Sequence, residues 1–253
     1  GLKKTRNIYM SHWYDKDGTP RYEIEGKNGL RPTTLRDARK NGWVPSVSTI
    51  WKDMVAAPGL TRYYQDQLFE AQINNPRKVL EEDKDYKKRV FSISRDAALK
   101  AAERGTMVHG ILEKHFISGE VEAGYDALIK GTKDKLLEIC GDQEWKVETS
   151  FAHGAGYGGK IDMHCDEWMV DFKTKELDSG KKPDVFDSYG VQLAAYDYGL
   201  GGGRKLLNLF ISVSSPGYVV EYQWEERERL TDMFMTALKL WQLTKRYNPS
   251  WQA

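Results

Sequence analysis

Asp162, Asp171 and Lys173 are the side chains whose types and spacing point most directly to chemistry. They lie in two apolar runs, Gly158-Gly159-Lys160-Ile161-Asp162-Met163-His164-Cys165 and Trp168-Met169-Val170-Asp171-Phe172-Lys173, joined by a polar Asp166-Glu167 turn. Such runs across a tight polar turn predict a β-hairpin. Side chains alternate faces along a strand, so Asp171 and Lys173 point the same way. Asp162, on the partner strand, reaches the same end of the hairpin. Carboxylates hold hard divalent cations such as Mg2+. A bound cation and an ammonium together stabilise the charge of a phosphoryl transition state. An isolated D-x-K reads as a solvated face with an ordinary ion pair; the Gly158-Gly159 approach, Ile161 and the spacing favour a site.

Other residues could join this constellation. Helical spacing upstream puts Gly105, His109 and Glu113 on one face. A glycine inside a helix costs about 1 kcal/mol relative to alanine, which predicts a reason such as close packing. His109 alone reads as a satisfied histidine of core or surface, and His12, His115, His153 and His164 have no better context. Glu148 sits on the strand before the hairpin. Gln192 and Tyr196 fall one turn apart on a later helix, where an amide and a phenol could hold a phosphate or order the lysine; core packing also suits the tyrosine. Ser46, Ser48 and Thr49 open another helix. Hydroxyls and amides there suit phosphate contacts, although capping alone explains Ser46 and Ser48.

The hairpin resembles the PD-(D/E)XK nuclease superfamily, particularly its RecB-like exonuclease branch, over about residues 105–200 and more loosely before them. The resemblance implies a restriction-endonuclease-like α/β core with a central mixed sheet flanked by helices, plus an N-terminal hairpin and helical elaboration. It implies Asp162, Asp171 and the Phe172 backbone carbonyl as metal ligands and Lys173 as the catalytic lysine. Gly105 and His109 match the branch's G-x-x-x-H, which implies His109 on the metal. Glu148 occupies the place of an acid at or near that metal. Gln192 and Tyr196 match a Q-x-x-x-Y trait. Pro45-Ser46-Val47-Ser48 resembles the P-S-V-T motif of mitochondrial and phage members, with Ser48 in place of threonine. The candidate substrate contacts are then Gln192, Tyr196, Ser46, Ser48, Thr49 and Arg104. The cofactor is expected to be Mg2+ or Mn2+, since an imidazole suits manganese better than magnesium.

The implied activity is that of a metal-dependent DNA exonuclease. Trp43, Trp51, Tyr63, Tyr64 and Phe69 interleave with Lys40, Lys52 and Arg62. Base stacking contributes about 1–3 kcal/mol per base and tolerates any sequence, so single-stranded DNA with a free end is the expected substrate. These aromatics could instead fill a helical core. A structure- or sequence-selective endonuclease of the same fold is the alternative. A non-catalytic nucleic-acid-binding module is disfavoured by the intact Asp162, Asp171 and Lys173. Replacing Asp171 or Lys173 by alanine is expected to leave the fold intact, because charges at an exposed strand end add little stability.

The chain has 253 residues, 40% hydrophobic and 30% charged, which suits one globular domain. The expected organisation is a single nuclease domain, with an elaboration over 1–92 and a catalytic core over 93–253. A net charge of +1 gives no global pull toward nucleic acid, so a DNA surface must be a local basic patch. No apolar run approaches a membrane span and no signal-peptide core is visible. Cys140 and Cys165 are too few for a disulfide framework or a four-cysteine iron–sulfur cluster and lack zinc spacing. A reducing cytoplasm, bacterial or phage-infected, is expected. Gly1 is not an initiator methionine, so the start is expected to be a tag remnant or a truncation.

Along the chain, a hairpin is expected over 8–25 around Asp17-Gly18. A short helix should start at Pro32-Thr33-Thr34 and stop at Gly42. Val44 to Trp51 should be a loop whose hydroxyls lead into a helix ended by Pro58-Gly59, and another helix should run over 60–73. The charged stretch 76–92 is expected to be a solvated face or loop. Helices follow at 94–117 and 122–139, strands at 145–152, 158–164 and 167–173, a helix at 186–199, strands at 205–213 and 218–224, and a helix at 226–247.

Overall fold

A computed structural model describes residues 11–249. They divide into two compact units, residues 55–107 and residues 11–54 with 108–249. In chain order the elements are β1 (Trp13–Tyr14), β2 (Glu23–Gly26), β3 (Gly29–Pro32), α1 (Leu35–Asn41), β4 (Val44–Pro45) and α2 (Val47–Met54). Next come α3 (Pro58–Asn74), α4 (Asp83–Ser118), α5 (Asp126–Cys140), β5 (Lys146–His153), β6 (Tyr157–His164) and β7 (Trp168–Lys175). The chain continues with α6 (Asp187–Gly199), β8 (Lys205–Ser212), β9 (Val219–Trp224) and α7 (Arg227–Lys245).

The larger unit is a mixed α/β fold around a five-stranded sheet of order β5-β6-β7-β8-β9. Only β7 and β8 run parallel, because α6 makes the crossover a parallel pair requires. The alternation of side chains sorts the apolar residues into two layers. Ile161, Met169 and Leu206 pack with Ile50 of α2, Leu193 of α6 and Phe234 of α7. Val170, Phe172 and Leu209 pack with Leu112 of α4 and Leu128 and Leu136 of α5. Both sheet faces are therefore covered, and polar groups between them must find partners there.

The local signals explain most boundaries. Thr34 and Asp37 form a capping box on α1, and Gly42 ends it in the left-handed conformation at φ 71°. The expected hairpin over 8–25 starts outside the described residues and is redistributed within them. Its turn exists, with the Gly18 N–H bonded to the Asp15 carbonyl and an antiparallel bridge joining Tyr14 to Pro20, but the ladders pair β1 with β4 and β2 with β3. Pro58 does not end α2, which stops at Met54; it opens α3, where its missing N–H costs nothing. Much of the charged stretch 76–92 is helix. Asp83 and Asp85 sit in the first turn of α4, where acids complement the helix dipole.

In the smaller unit, α3 buries only Ala71 and leaves Tyr63 and Phe69 exposed. No helix among the described residues is long and apolar enough to cross a membrane.

The paired glycines of β6 let neighbours approach closely. A Cβ on Gly158 would meet the Phe151 carbonyl oxygen at 2.6 Å, and one on Gly159 would meet the Tyr196 ring at 2.5 Å. Tyr196 is buried between β6 and Phe151 and has no room to retreat. Gly159→Ala is accordingly expected to destabilise the protein by about 1–3 kcal/mol, measured by chemical denaturation. A midpoint equal to that of the unsubstituted protein would contradict this packing.

Candidate active site

The backbone of β6 and β7 builds the site by coming apart. Their ladder joins His164 to Met169 and Met163 to Val170 and goes no further. β7 nevertheless stays paired with β8 as far as Lys175. Beyond the split, the Phe172 N–H has no β6 carbonyl to meet and donates instead to Asp162 Oδ2 at 2.8 Å. The N–H and C=O of one strand residue point the same way, so the Phe172 carbonyl faces the same gap. On the other side of β6, the β5 ladder skips the Glu148–Asp162 pair. Glu148 sits there at φ 56°, a left-handed conformation that a glutamate adopts only under local constraint.

Asp162 also meets α4, where His109 Nδ1 lies 3.2 Å from Asp162 Oδ1. Burial alone would lower the His109 pKa, but the bond and charge of Asp162 outweigh it and raise it. Burial likewise works against ionised Asp162, yet His109, the Phe172 N–H and Lys173 hold its pKa below the ordinary range.

Asp171 is 3% exposed, which corrects the expectation of an exposed strand end. α6 covers the face of β7 that carries Asp171 and Lys173, and β8 closes the flank. Asp171 Oδ2 accepts from Lys173 Nζ at 2.8 Å and from Asn208 Nδ2 at 2.8 Å. Asn208 Oδ1 in turn accepts from Trp224 Nε1 at 2.8 Å. Burial pushes the Asp171 pKa up; Lys173 partly offsets this, and the nearby charge of Asp162 adds to it. Removing either member of such a buried pair costs about 3–5 kcal/mol. Alanine at Asp171 or Lys173 would therefore disturb the fold as well as the site.

Lys173 Nζ donates to Gln192 Oε1 at 2.9 Å, and Gln192 Nε2 donates to the Tyr196 hydroxyl at 2.8 Å. Of the two uses expected for this amide and phenol, the geometry realises the ordering of the lysine. Burial would lower the Lys173 pKa, but Asp171 and Asp162 outweigh it and keep the group protonated.

Glu148 forms an ion pair with Lys160. Its pKa is raised, first by burial and then by Glu113 and Asp162, against the pull of Lys160. Ser46 bonds to Ser48 and Thr49 and accepts the Thr49 N–H at 3.1 Å, so it caps α2. Ser46 and Thr49 are buried in that network, while Ser48 lines an open recess beside Lys173. His164 Nε2 is taken by Thr149 at 2.9 Å. Arg104 belongs to the smaller unit.

Sequence reasoning missed Asn208 and Trp224. A lone asparagine in the apolar run Leu206-Leu207-Asn208-Leu209-Phe210 was the available signal, since a buried amide demands partners.

Among the described residues, no three His, Cys, Asp or Glu side chains gather as a metal cage. The donor chemistry nonetheless fits a hard cation. Asp162 and the Phe172 carbonyl face one gap, and Asp171 feels the charge of Asp162, so oxygen donors of the kind a hard cation takes lie at this edge.

No protein-family model and no curated protein matches the chain. Solved structures similar to it include SSO0001, at 14% identity and a TM-score of 0.32, over 75% of this chain and 87% of that one. An alkaline exonuclease (LHK-Exo) from Laribacter hongkongensis matches at 12% identity and a TM-score of 0.37, over 79% of this chain and 91% of that one. At these scores neither likeness carries an argument about what this chain does.

The Asn208 bond gives a direct test. Asn208→Ala strips a donor from a buried carboxylate and leaves the Trp224 N–H unpaired. The expected loss is about 1–3 kcal/mol in chemical denaturation; an unchanged midpoint would show that neither bond matters.

Proposed function

We propose that this chain is a divalent-metal-dependent DNA exonuclease that hydrolyses phosphodiester bonds, prefers single-stranded DNA and requires a free end. The observation that carries the reading is the polar run at the parted β6–β7 edge. There Asp162 is bonded to the Phe172 N–H, Asp171 to Lys173, and Lys173 to Gln192. Asp162, Asp171 and the carbonyl would hold Mg2+ or Mn2+, with the His109 imidazole beside them and Glu148 in support. When bound, such a cation supplies a Lewis acid for the phosphate and lowers the pKa of a bound water.

The protein's own residues do the rest. Lys173 presents an ammonium at the edge of the gap, where it neutralises charge that grows on the phosphate oxygens during attack. Gln192, itself held by Tyr196, fixes the direction of that ammonium. A group held in place before reaction loses no energy to reorganisation, which is why the supporting bonds matter to rate. Asp171 keeps Lys173 charged although the site is buried.

Preference for single strands is supported by the exposed Tyr63 and Phe69 of α3, with Arg62 beside them. Exposed rings offer stacking platforms to unpaired bases, and cations follow the backbone. Ser48, Gln192 and Arg104 are the further contacts proposed for substrate.

The decisive comparison is between linear and circular single-stranded DNA of one sequence, with Mg2+ or Mn2+. The linear form is expected to be degraded and the circle to survive. Equal loss of the circle would favour an endonuclease, and inert DNA of both forms would overturn the enzymatic reading. Asp171→Asn preserves shape and is expected to lower the cleavage rate by at least about 10²-fold, whereas a near-normal rate would remove Asp171 from the site. For His109→Ala, the metal concentration giving half-maximal cleavage should rise. An unchanged metal titration would make His109 structural only.

A further inference from the structure

A recess of about 320 Å³ opens beside Lys173, between α2 and α6. That volume is at the small end of ligand pockets, which run from about 300 to 1,000 Å³. It has room for one nucleotide, not for a paired strand. Ser48, Trp51 and Lys52 from α2 face Ser188 and Tyr189 from α6 across it, and Lys173 closes its inner end. No carboxylate lines it.

Lys52 is the unusual member. Among the described residues no ion pair engages it, unlike Lys173 with Asp171 or Lys160 with Glu148. Its near neighbour in charge is Lys173, which repels it. Lys52 brings an ammonium without a counter-charge into a recess that also holds Lys173 and no carboxylate, and such a place suits an anion. An ammonium has three donors; Asp171 and Gln192 take two from Lys173, and Lys52 has all of its own to offer. The hydroxyls of Ser48 and Ser188 supply further polar contacts, and the Trp51 indole supplies an apolar wall. Phosphate, sugar hydroxyl and base each find a matching partner on these walls.

We propose that this recess is a mononucleotide subsite, in which Lys52 binds the phosphate of one nucleotide next to Lys173 and Trp51 supports its base. The choice of a nucleotide as occupant rests on the nuclease reading. Lys52 then acts as a binding residue that seats the terminal nucleotide, distinct from Lys173 at the reacting phosphate.

The test is titration calorimetry of the full chain with dAMP in EDTA, so that no metal bridges protein and phosphate. The unsubstituted protein is expected to bind dAMP more tightly than either inorganic phosphate or deoxyadenosine. Lys52→Gln should weaken dAMP at least about tenfold, the loss of one charged hydrogen bond, and Lys52→Arg should restore most of it. Lys52 is solvent-accessible, so both variants should keep the parent melting temperature. Absence of dAMP binding, or equal binding by Lys52→Gln, would remove the subsite while leaving DNA cleavage to stand or fall separately. Inorganic phosphate binding as tightly as dAMP would overturn the base contact. If dAMP binds through Lys52 but DNA of every form resists cleavage, the nuclease reading fails and the nucleotide site remains.

Discussion

A backbone N–H left without a strand partner organises this site. β6 and β7 separate one step beyond Met163 and Val170, and the Phe172 N–H would be orphaned in a covered sheet. Leaving it unpaired would cost a desolvation penalty of about 1–3 kcal/mol. The Asp162 carboxylate takes the bond and is thereby fixed against β7. The parting of the strands thus sets Asp162 beside Phe172 and turns the Phe172 carbonyl toward the same gap. The skipped pairing and left-handed backbone at Glu148 lie directly across β6 from the same point. The distortion is thus shared by three adjacent strands.

Placing Asp171 at a covered position sets the second constraint. A buried carboxylate is tolerated only when its oxygens are bonded and its charge is met. Lys173 meets the charge, and Asn208, held by Trp224, supplies the second donor. Lys173 is then itself ordered through Gln192 and Tyr196. Stability and chemistry draw on the same bonds, because the groups that satisfy the carboxylate also aim the ammonium. The oxygen donors of Asp162 and Asp171 at this edge are of the kind that takes a hard cation.

Local signals in the sequence carried much of this. Alternation placed Asp171 and Lys173 on one face, and the turn at Asp166-Glu167 placed Asp162 opposite. Caps at Thr34 and Gly42 bounded α1 within a residue, since capping is local chemistry. What escaped depends on contacts distant in sequence. Asn208 reaches Asp171 only because β8 lies parallel beside β7, and no spacing rule reports that. The burial of Asp171 follows from α6 covering the face, which the run around Asp171 does not encode. The pairing of β1 with β4 joins residues separated by a helix and another hairpin. In the stretch 76–92, dense charge suggested solvent, and from Asp83 it is the solvated start of a long helix.

The central claim is that Asp162, Asp171 and the Phe172 carbonyl form a cation site at the parted edge. The most direct measurement is an anomalous difference map from crystals soaked in Mn2+. The account predicts one strong peak within about 2.0–2.6 Å of both carboxylates and the carbonyl. A map without a peak there, with Asp162 still holding the Phe172 N–H and manganese bound elsewhere or nowhere, would contradict it.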